Sequence, residues 1–268
     1  MRIAIIGAGP AGLAAAKKAS KENDIVVFDG NNDAGKKLLL TGSGRCNIGN
    51  VNNDLSKYHS SNKELIKKII NDKNFDKVNN FFKEIGLVLK DKNGYLYPYS
   101  EKSSSVLSCL KNSLDVDFRF NTYVENIKRK DNKFIINGEV FDKVIITTGG
   151  LSYPKTGSTG EGFHLAKAFG HKVTNLNPSL MALETNTGLE KEWSGTRCEV
   201  NVSSYIVGRK IKEEHGELQL TSFGLSGICI FNLSRDIRLA LNEEKSCEVR
   251  INFCPWTDDL SKYMEENK

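Results

Sequence analysis

Three glycines near the start of the chain offer the first chemistry. Gly7-Ala8-Gly9-Pro10-Ala11-Gly12 follows the apolar run Ile3 to Ile6 and precedes a stretch rich in alanine that reaches Ala19. A strand that ends in such a turn and opens a helix suits an extended diphosphate. The first glycine permits a tight turn, the second lets bare backbone approach the phosphates, and the third lets helix pack closely on strand. The helix N-terminus adds unpaired N–H groups and a partial positive charge. A GxGxxG run alone is also what an ordinary loop looks like. Here the next apolar run, Ile25 to Phe28, ends on Asp29, where an acid can bind an adenosine ribose hydroxyl and disfavours a 2′-phosphate. The alternative for Asp29 is a turn residue before Gly30.

A second cluster runs from Gly35 through Lys37 to Gly44-Arg45-Cys46-Asn47. It is not a phosphate-binding loop of the GK[ST] kind, because no such triplet follows its glycines. Bare backbone at Gly42 and Gly44 admits a flat or anionic ligand, Arg45 could meet a diphosphate or a ring carbonyl, and Asn47 offers both donor and acceptor. Cys46 lacks a partner thiol and reads as a packing residue. A third glycine pair, Thr148-Gly149-Gly150, closes the apolar run Lys143 to Thr147. Gly157-Ser158-Thr159-Gly160-Glu161-Gly162 then leads into an expected helix from Phe163 to Phe169, as an anion site, a pocket wall or a plain turn. His164 and His171 read as surface or packing histidines, and Ser152 and Tyr153 as candidate proton donors near the ring, with no catalytic residue assigned.

The elements that must hold these residues open as strand, helix, strand, a βαβ unit. Amphipathic helices follow around Leu65 to Ile70 and Phe75 to Ile85, the latter stopped by Gly86, and a third starts from Ser100 as its cap. From Val116 the period changes: Phe118 to Phe120, Tyr123 to Ile127 and Phe134 to Ile136 read as strands, with Asn137-Gly138 as a hairpin turn into Val140-Phe141. A nicotinamide dehydrogenase would continue with alternating helices and strands. An antiparallel meander feeding back into the sheet through a strand that ends Thr-Gly points instead to FAD. Beyond about Pro178 the chain is rich in short strands, including Glu199 to Val207 and Glu217 to Thr221.

Composition bounds the rest. The chain has 268 residues, 39% hydrophobic and 26% charged, with 23 Gly and 5 Pro. That excludes collagen-like, Pro-rich and wholly disordered classes and allows one large domain or two modest ones. Lys and Arg total 38 against 33 acids, and a net charge of +5 is too mild to argue for nucleic acid. The cysteines at 46, 109, 198, 229, 247 and 254 form no CxxC pair and no zinc spacing with histidine. Neither a metal site nor a disulfide framework is expected, and scattered reduced thiols fit the cytoplasm. No run approaches the roughly 18 apolar residues of a membrane span, and the glycines between Ile3 and Ala16 argue against a signal peptide.

Long stretches resemble a known family, the BaiN/YhiN-like bacterial NAD(P)/FAD-dependent oxidoreductases (aminoacetone-oxidase-like flavoproteins). They are GAGPAGLAAA at 7 to 16, GKKLLLTGSGRCNIGN at 35 to 50, YLYPYSEKSSSVLSCL at 95 to 110, VIITTGGLSYPKTGSTGEGFHLAKAFGH at 144 to 171, PSLMALET at 178 to 185 and TSFGLSGICIFNLSR at 221 to 235. The resemblance implies an α/β fold: an FAD-binding Rossmann-like parallel sheet with an antiparallel β-meander crossover over residues 1–180, plus an incomplete β-rich inserted domain over 181–268. It implies FAD in an extended pose. Gly7, Ala8, Gly9, Pro10, Ala11 and Gly12 would face the diphosphate, Asp29 the ribose, and Val124 the adenine through its backbone. Lys37, Gly44, Arg45, Cys46 and Asn47 would run toward the flavin, with Thr148, Gly149 and Gly150 closing over the cofactor. The implied activity is hydride or electron transfer from NAD(P)H, as a transient reductant, or from another donor to a small organic acceptor or oxygen. Small-molecule substrates are expected, without nucleic acid or membrane partners. An RNA-modifying flavoprotein of related fold is the weaker alternative. Family members continue past the point where this chain stops, so the chain reads as C-terminally truncated, and a catalytically inactive FAD-binding remnant is the competing expectation.

Overall fold

A computed structural model of the chain describes residues 1–52, 54–60, 62–257 and 260–266. The chain divides into two compact units, Met1–Val173 and Thr174–Lys268. The first contains, in order, β1 (Arg2–Ile6), α1 (Pro10–Ala19), β2 (Asp24–Phe28), β3 (Gly49–Asn50), α2 (Lys63–Ile69), α3 (Asp72–Glu84), β4 (Leu89–Lys92), β5 (Tyr95–Pro98), α4 (Ser103–Asn112), β6 (Asp117–Arg119), β7 (Lys128–Lys130), β8 (Lys133–Ile136), β9 (Glu139–Phe141), β10 (Lys143–Ile146) and α5 (Glu161–Ala168).

Four of these strands make a parallel sheet in the order β10-β1-β2-β6. The opening strands lack an apolar–polar alternation because both of their faces are buried. Ile3, Ile5, Ile25 and Val27 pack with Leu13 and Ala16 of α1 and with Val106 and Leu110 of α4. On the other face Ala4, Ile6, Val26 and Phe28 meet Ile136, Phe141 and Leu165. Phe28 and Phe141 pack edge to face with centroids 5.9 Å apart. Pro10 occupies the first turn of α1, where a missing N–H costs nothing. Helix α3 ends at Gly86, whose φ of +80° suits a left-handed stop.

The structure corrects three local expectations. Of the segment 118–120, Phe118 and Arg119 belong to the parallel sheet, since β6 pairs with β2. Residues 123–127 form no strand, and the antiparallel meander is β7-β8-β9 alone. Asn137 and Gly138 do turn its second hairpin, both at positive φ (49° and 84°) as a type I′ turn requires. Ser100 does not cap α4: the residue preceding the helix is Lys102, and the Ser100 hydroxyl instead donates to Ser105 Oγ at 2.8 Å.

In the second unit β11 (Leu183–Glu184), α6 (Glu190–Trp193), β12 (Arg197–Ile206), β13 (Arg209–Thr221), β14 (Gly224–Ser226), α7 (Ile228–Asn242), β15 (Cys247–Asn252) and α8 (Leu260–Glu266) follow in order. A five-stranded antiparallel sheet, β11-β14-β13-β12-β15, is covered by α7. The expectation of short strands throughout missed both the length of the β12–β13 hairpin and the whole of α7. The buried Cys229, Ile230, Leu233, Ile237 and Ala240 do carry a helical period; Gly227 immediately before them reads as a loop signal and hides it.

Glu139 ties the sheet to the meander. Its carboxylate accepts from Arg2 Nη2 at 2.7 Å and from Arg119, joining β9 to β1 and β6. The hydrogen bond from Arg2 is the main reason its carboxyl group is held below the ordinary 4.5. A lowered carboxylate pKa stabilises the fold above the ordinary value and is lost as pH falls through the folded one. Glu139→Gln should therefore lower the Tm at neutral pH, with the gap from the parent chain closing as pH drops below 4.5. Phe141→Ala, which empties a fully buried site, should cost about 3–5 kcal/mol in denaturant unfolding.

Candidate functional site

The C-terminal ends of β1, β2 and β10 open onto a groove of about 290 Å³. Its floor follows from three backbone constraints. Gly7 stands at φ +105°, with its N–H donating to the Phe28 carbonyl at 2.7 Å, and an added Cβ would lie 2.6 Å from the Thr147 carbonyl oxygen. A Cβ on Gly12 would fall 1.9 Å from the Gly7 carbonyl oxygen, so α1 rests directly on the turn. Thr147 Oγ1 donates to the Ile6 and Gly7 carbonyls, at 2.9 and 2.8 Å, and fixes β10 against the same turn. Gly9 differs: a Cβ there would meet nothing within 4 Å. Its bare backbone borders open space at the N-terminus of α1, where the first helical N–H groups lack helical partners.

Asp29 is itself held in place by hydrogen bonds. Its Oδ2 accepts from the Ala8 N–H at 2.7 Å, and its Oδ1 accepts from the backbone and side-chain nitrogens of Asn31 at 2.8 and 2.9 Å. The acid clamps the glycine turn and still borders the groove. Asn31 Nδ2 also donates to the Thr156 carbonyl at 3.2 Å, and the Gly162 N–H donates to Thr148 Oγ1 at 3.0 Å. The loop before α5 is thereby pinned along one rim. Ser158, nine-tenths buried, fills the space beside Gly149, where a Cβ would approach its Oγ to 2.6 Å.

Of the residues expected from the sequence, Gly7, Gly9, Pro10, Ala11, Asp29, Lys37, Val124, Thr148 and Gly149 line this groove. Ala8 and Gly12 lie buried behind its surface. Gly44, Arg45, Cys46, Asn47 and Gly150 are not among its lining residues. The second cluster instead folds into a tight turn with Gly42 and Ser43 left-handed at φ 56° and 54°. Cys46 is buried there, the Arg45 guanidinium lies 6.0 Å from the Tyr97 ring centroid, and Asn47 Oδ1 accepts from the Gly49 N–H at 3.1 Å. The cluster meets the groove at its start, where the Gly35 N–H donates to the Ala8 carbonyl at 3.0 Å and Lys37 Nζ reaches Ser152 Oγ at 3.4 Å.

Sequence reasoning missed Tyr123 and Glu161 as an interacting pair on the groove wall. The Tyr123 hydroxyl donates to Glu161, and this bond is the main cause holding the phenol above its ordinary pKa of 10.0. A tyrosine between two apolar runs and a glutamate opening a helix are separately unremarkable, so no local signal joins them. No histidine lines the groove. Among the described residues no cluster could hold a metal ion, and no helix is long and apolar enough to cross a membrane. The groove at the sheet's mouth, the open backbone at Gly9, the helix N-terminus and the clamped acid together fit an extended adenine dinucleotide.

Residues 1–236 match the family model described as the HI0933-like protein Rossmann domain. A 3-dehydro-bile acid delta(4,6)-reductase from Clostridium scindens is 33% identical over 95% of this chain and 64% of its own length. A ribosomal RNA dihydrouridine synthase from Haemophilus influenzae is 29% identical over 86% of this chain and 60% of its own length. The chain thus spans under two thirds of the curated relatives it matches. Among solved structures, a 3-ketosteroid-delta4-(5alpha)-dehydrogenase from Rhodococcus jostii RHA1 covers 63% of this chain and 54% of its own, with TM-score 0.46 and 14% identity.

The two helix-side glycines should separate on substitution. Gly12→Ala forces α1 off the turn and should cost about 1–3 kcal/mol, as overpacking does. Gly9→Ala, facing open space, should leave the Tm unchanged within a few degrees; both are read by thermal unfolding of the apo chain.

Proposed function

The chain belongs to the HI0933-like Rossmann flavoprotein family, and from that premise we propose that it binds FAD extended along the groove and acts as an oxidoreductase on a small organic acceptor. The observation that carries the reading is the contrast between Gly12 and Gly9, one glycine crowded against backbone and the other bordering empty space. A diphosphate at Gly9 would sit against the first N–H groups of α1, with Ala11 beside it. Asp29, already oriented by Ala8 and Asn31, would accept from the ribose. Lys37 would add positive charge near the diphosphate, and the Val124 backbone would meet the adenine. Thr148 and Gly149 would border the middle of the cofactor. Gly44, Arg45, Cys46, Asn47 and Gly150 would lie toward the flavin.

When bound, a flavin supplies hydride chemistry that side chains cannot. The names of the two relatives suggest a substrate class: a delta(4,6)-reductase of a 3-dehydro compound and a dihydrouridine synthase both add hydrogen across a carbon–carbon double bond conjugated with a carbonyl. We place the acceptor in that class, with NAD(P)H as the visiting reductant. The low net charge reads against nucleic acid, yet the Haemophilus influenzae relative carries an RNA-directed name, so the charge argument alone does not rule out an RNA substrate.

Incubation of the purified chain with FAD, followed by desalting, should leave a yellow protein with bound-flavin absorbance. Gly9→Val places a branched side chain where the diphosphate would lie and should weaken retention by about ten-fold or more, the equivalent of 1.4 kcal/mol. Full flavin occupancy in that variant would remove the glycine turn from the site. Anaerobic addition of NADH or NADPH to the loaded chain should bleach the flavin band.

A further inference from the structure

We infer that Tyr123 is the aromatic platform on which the adenine base of the dinucleotide stacks, held in place by Gly30 against one ring edge and Glu161 at its tip; the inference rests on the dinucleotide reading of the groove. Three features place the ring. The backbone on its N-terminal side is fixed to the end of β2, since the Thr122 N–H donates to the Asp29 carbonyl at 3.0 Å and the Asn121 N–H to the Asn31 carbonyl at 2.8 Å. The ring itself lies against Gly30, where a Cβ would stand 2.5 Å from Tyr123 Cδ2 and 2.7 Å from Cε2. The hydroxyl donates to Glu161 at the start of α5.

Both Tyr123 and Glu161 line the groove beside Asp29, at the end where the acid would take the ribose. Tyr123 is nonetheless 55% exposed. A large ring held along one edge and at its tip, yet left open on the groove, presents a preorganised apolar surface. An adenine is flat, polarisable and reached through the ribose from Asp29, and it matches that surface. Holding the ring in advance reduces the ordering cost of binding. The hydrogen bond to Glu161 also holds the phenol above its ordinary pKa of 10.0.

The test uses the full chain and calorimetric titration with ADP, FAD and inorganic pyrophosphate. Tyr123→Ala should weaken ADP and FAD by about ten-fold, within the range that loss of one base–aromatic stack produces, and leave pyrophosphate unchanged. Tyr123→Phe and Tyr123→Trp, which keep a ring, should stay within about three-fold of the parent by the same stacking argument. Gly30→Ala, which drives the ring from its seat while leaving Tyr123 in the sequence, should reproduce the Tyr123→Ala loss. Unchanged ADP affinity in Tyr123→Ala overturns the platform alone. An equal loss of pyrophosphate also overturns it, by showing that the turn has collapsed. A parent chain that binds neither ADP nor FAD overturns the dinucleotide reading and the platform with it.

Discussion

One close approach organises the first unit: α1 lies on the turn after β1 with no room for a side chain at position 12. That contact sets the direction of the helix and brings its N-terminus to the mouth of the sheet, where unpaired N–H groups and the helix dipole favour an anion. The same turn receives Thr147 from β10 and the Asp29 carboxylate from β2. Three strands and a helix therefore converge on one glycine turn. Its geometry is fixed by packing before any ligand arrives.

Preorganisation extends to the rims. Asp29 is held by three donors from Ala8 and Asn31, so the proposed acceptor for a sugar hydroxyl stands ready without a search through rotamers. Asn31 reaches across to Thr156, and Thr148 receives Gly162, which fixes the loop preceding α5. Glycines at 149, 157 and 162 let side chains or backbone from facing segments approach more closely than a Cβ would allow. The groove is thus bounded by short segments from distant parts of the sequence, each tied to its neighbour by hydrogen bonds rather than by a continuous element.

The second unit shows a different economy. Its core is the buried face of an antiparallel sheet under α7, and three of its cysteines are packing residues: burial pushes the thiols of Cys198, Cys229 and Cys247 up. A raised thiol is the reverse of the depressed one that a nucleophile or redox pair needs. The proposed electron chemistry accordingly falls to the bound dinucleotide, with the protein supplying orientation and electrostatics.

Local residue pattern alone determined the βαβ opening, because a doubly buried strand, a glycine turn and an alanine-rich helix each leave a short-range signature. The same holds for the Asn137-Gly138 hairpin, whose two positive φ angles are a property of adjacent residues, and for the acid at the end of β2. Tertiary structure decided the rest. Whether Phe118 and Arg119 joined the meander or the parallel sheet depended on pairing with β2, whose partners lie 91 residues earlier in the chain, and Tyr123 and Val124, in a segment that forms no strand, line the groove. Asp29's clamp on Ala8, the seat of Tyr123 on Gly30 and its bond to Glu161 join residues that no local period links. Periodicity reports which face of an element is buried; it carries no information on which distant side chain will share a hydrogen bond, and the site is made of such bonds.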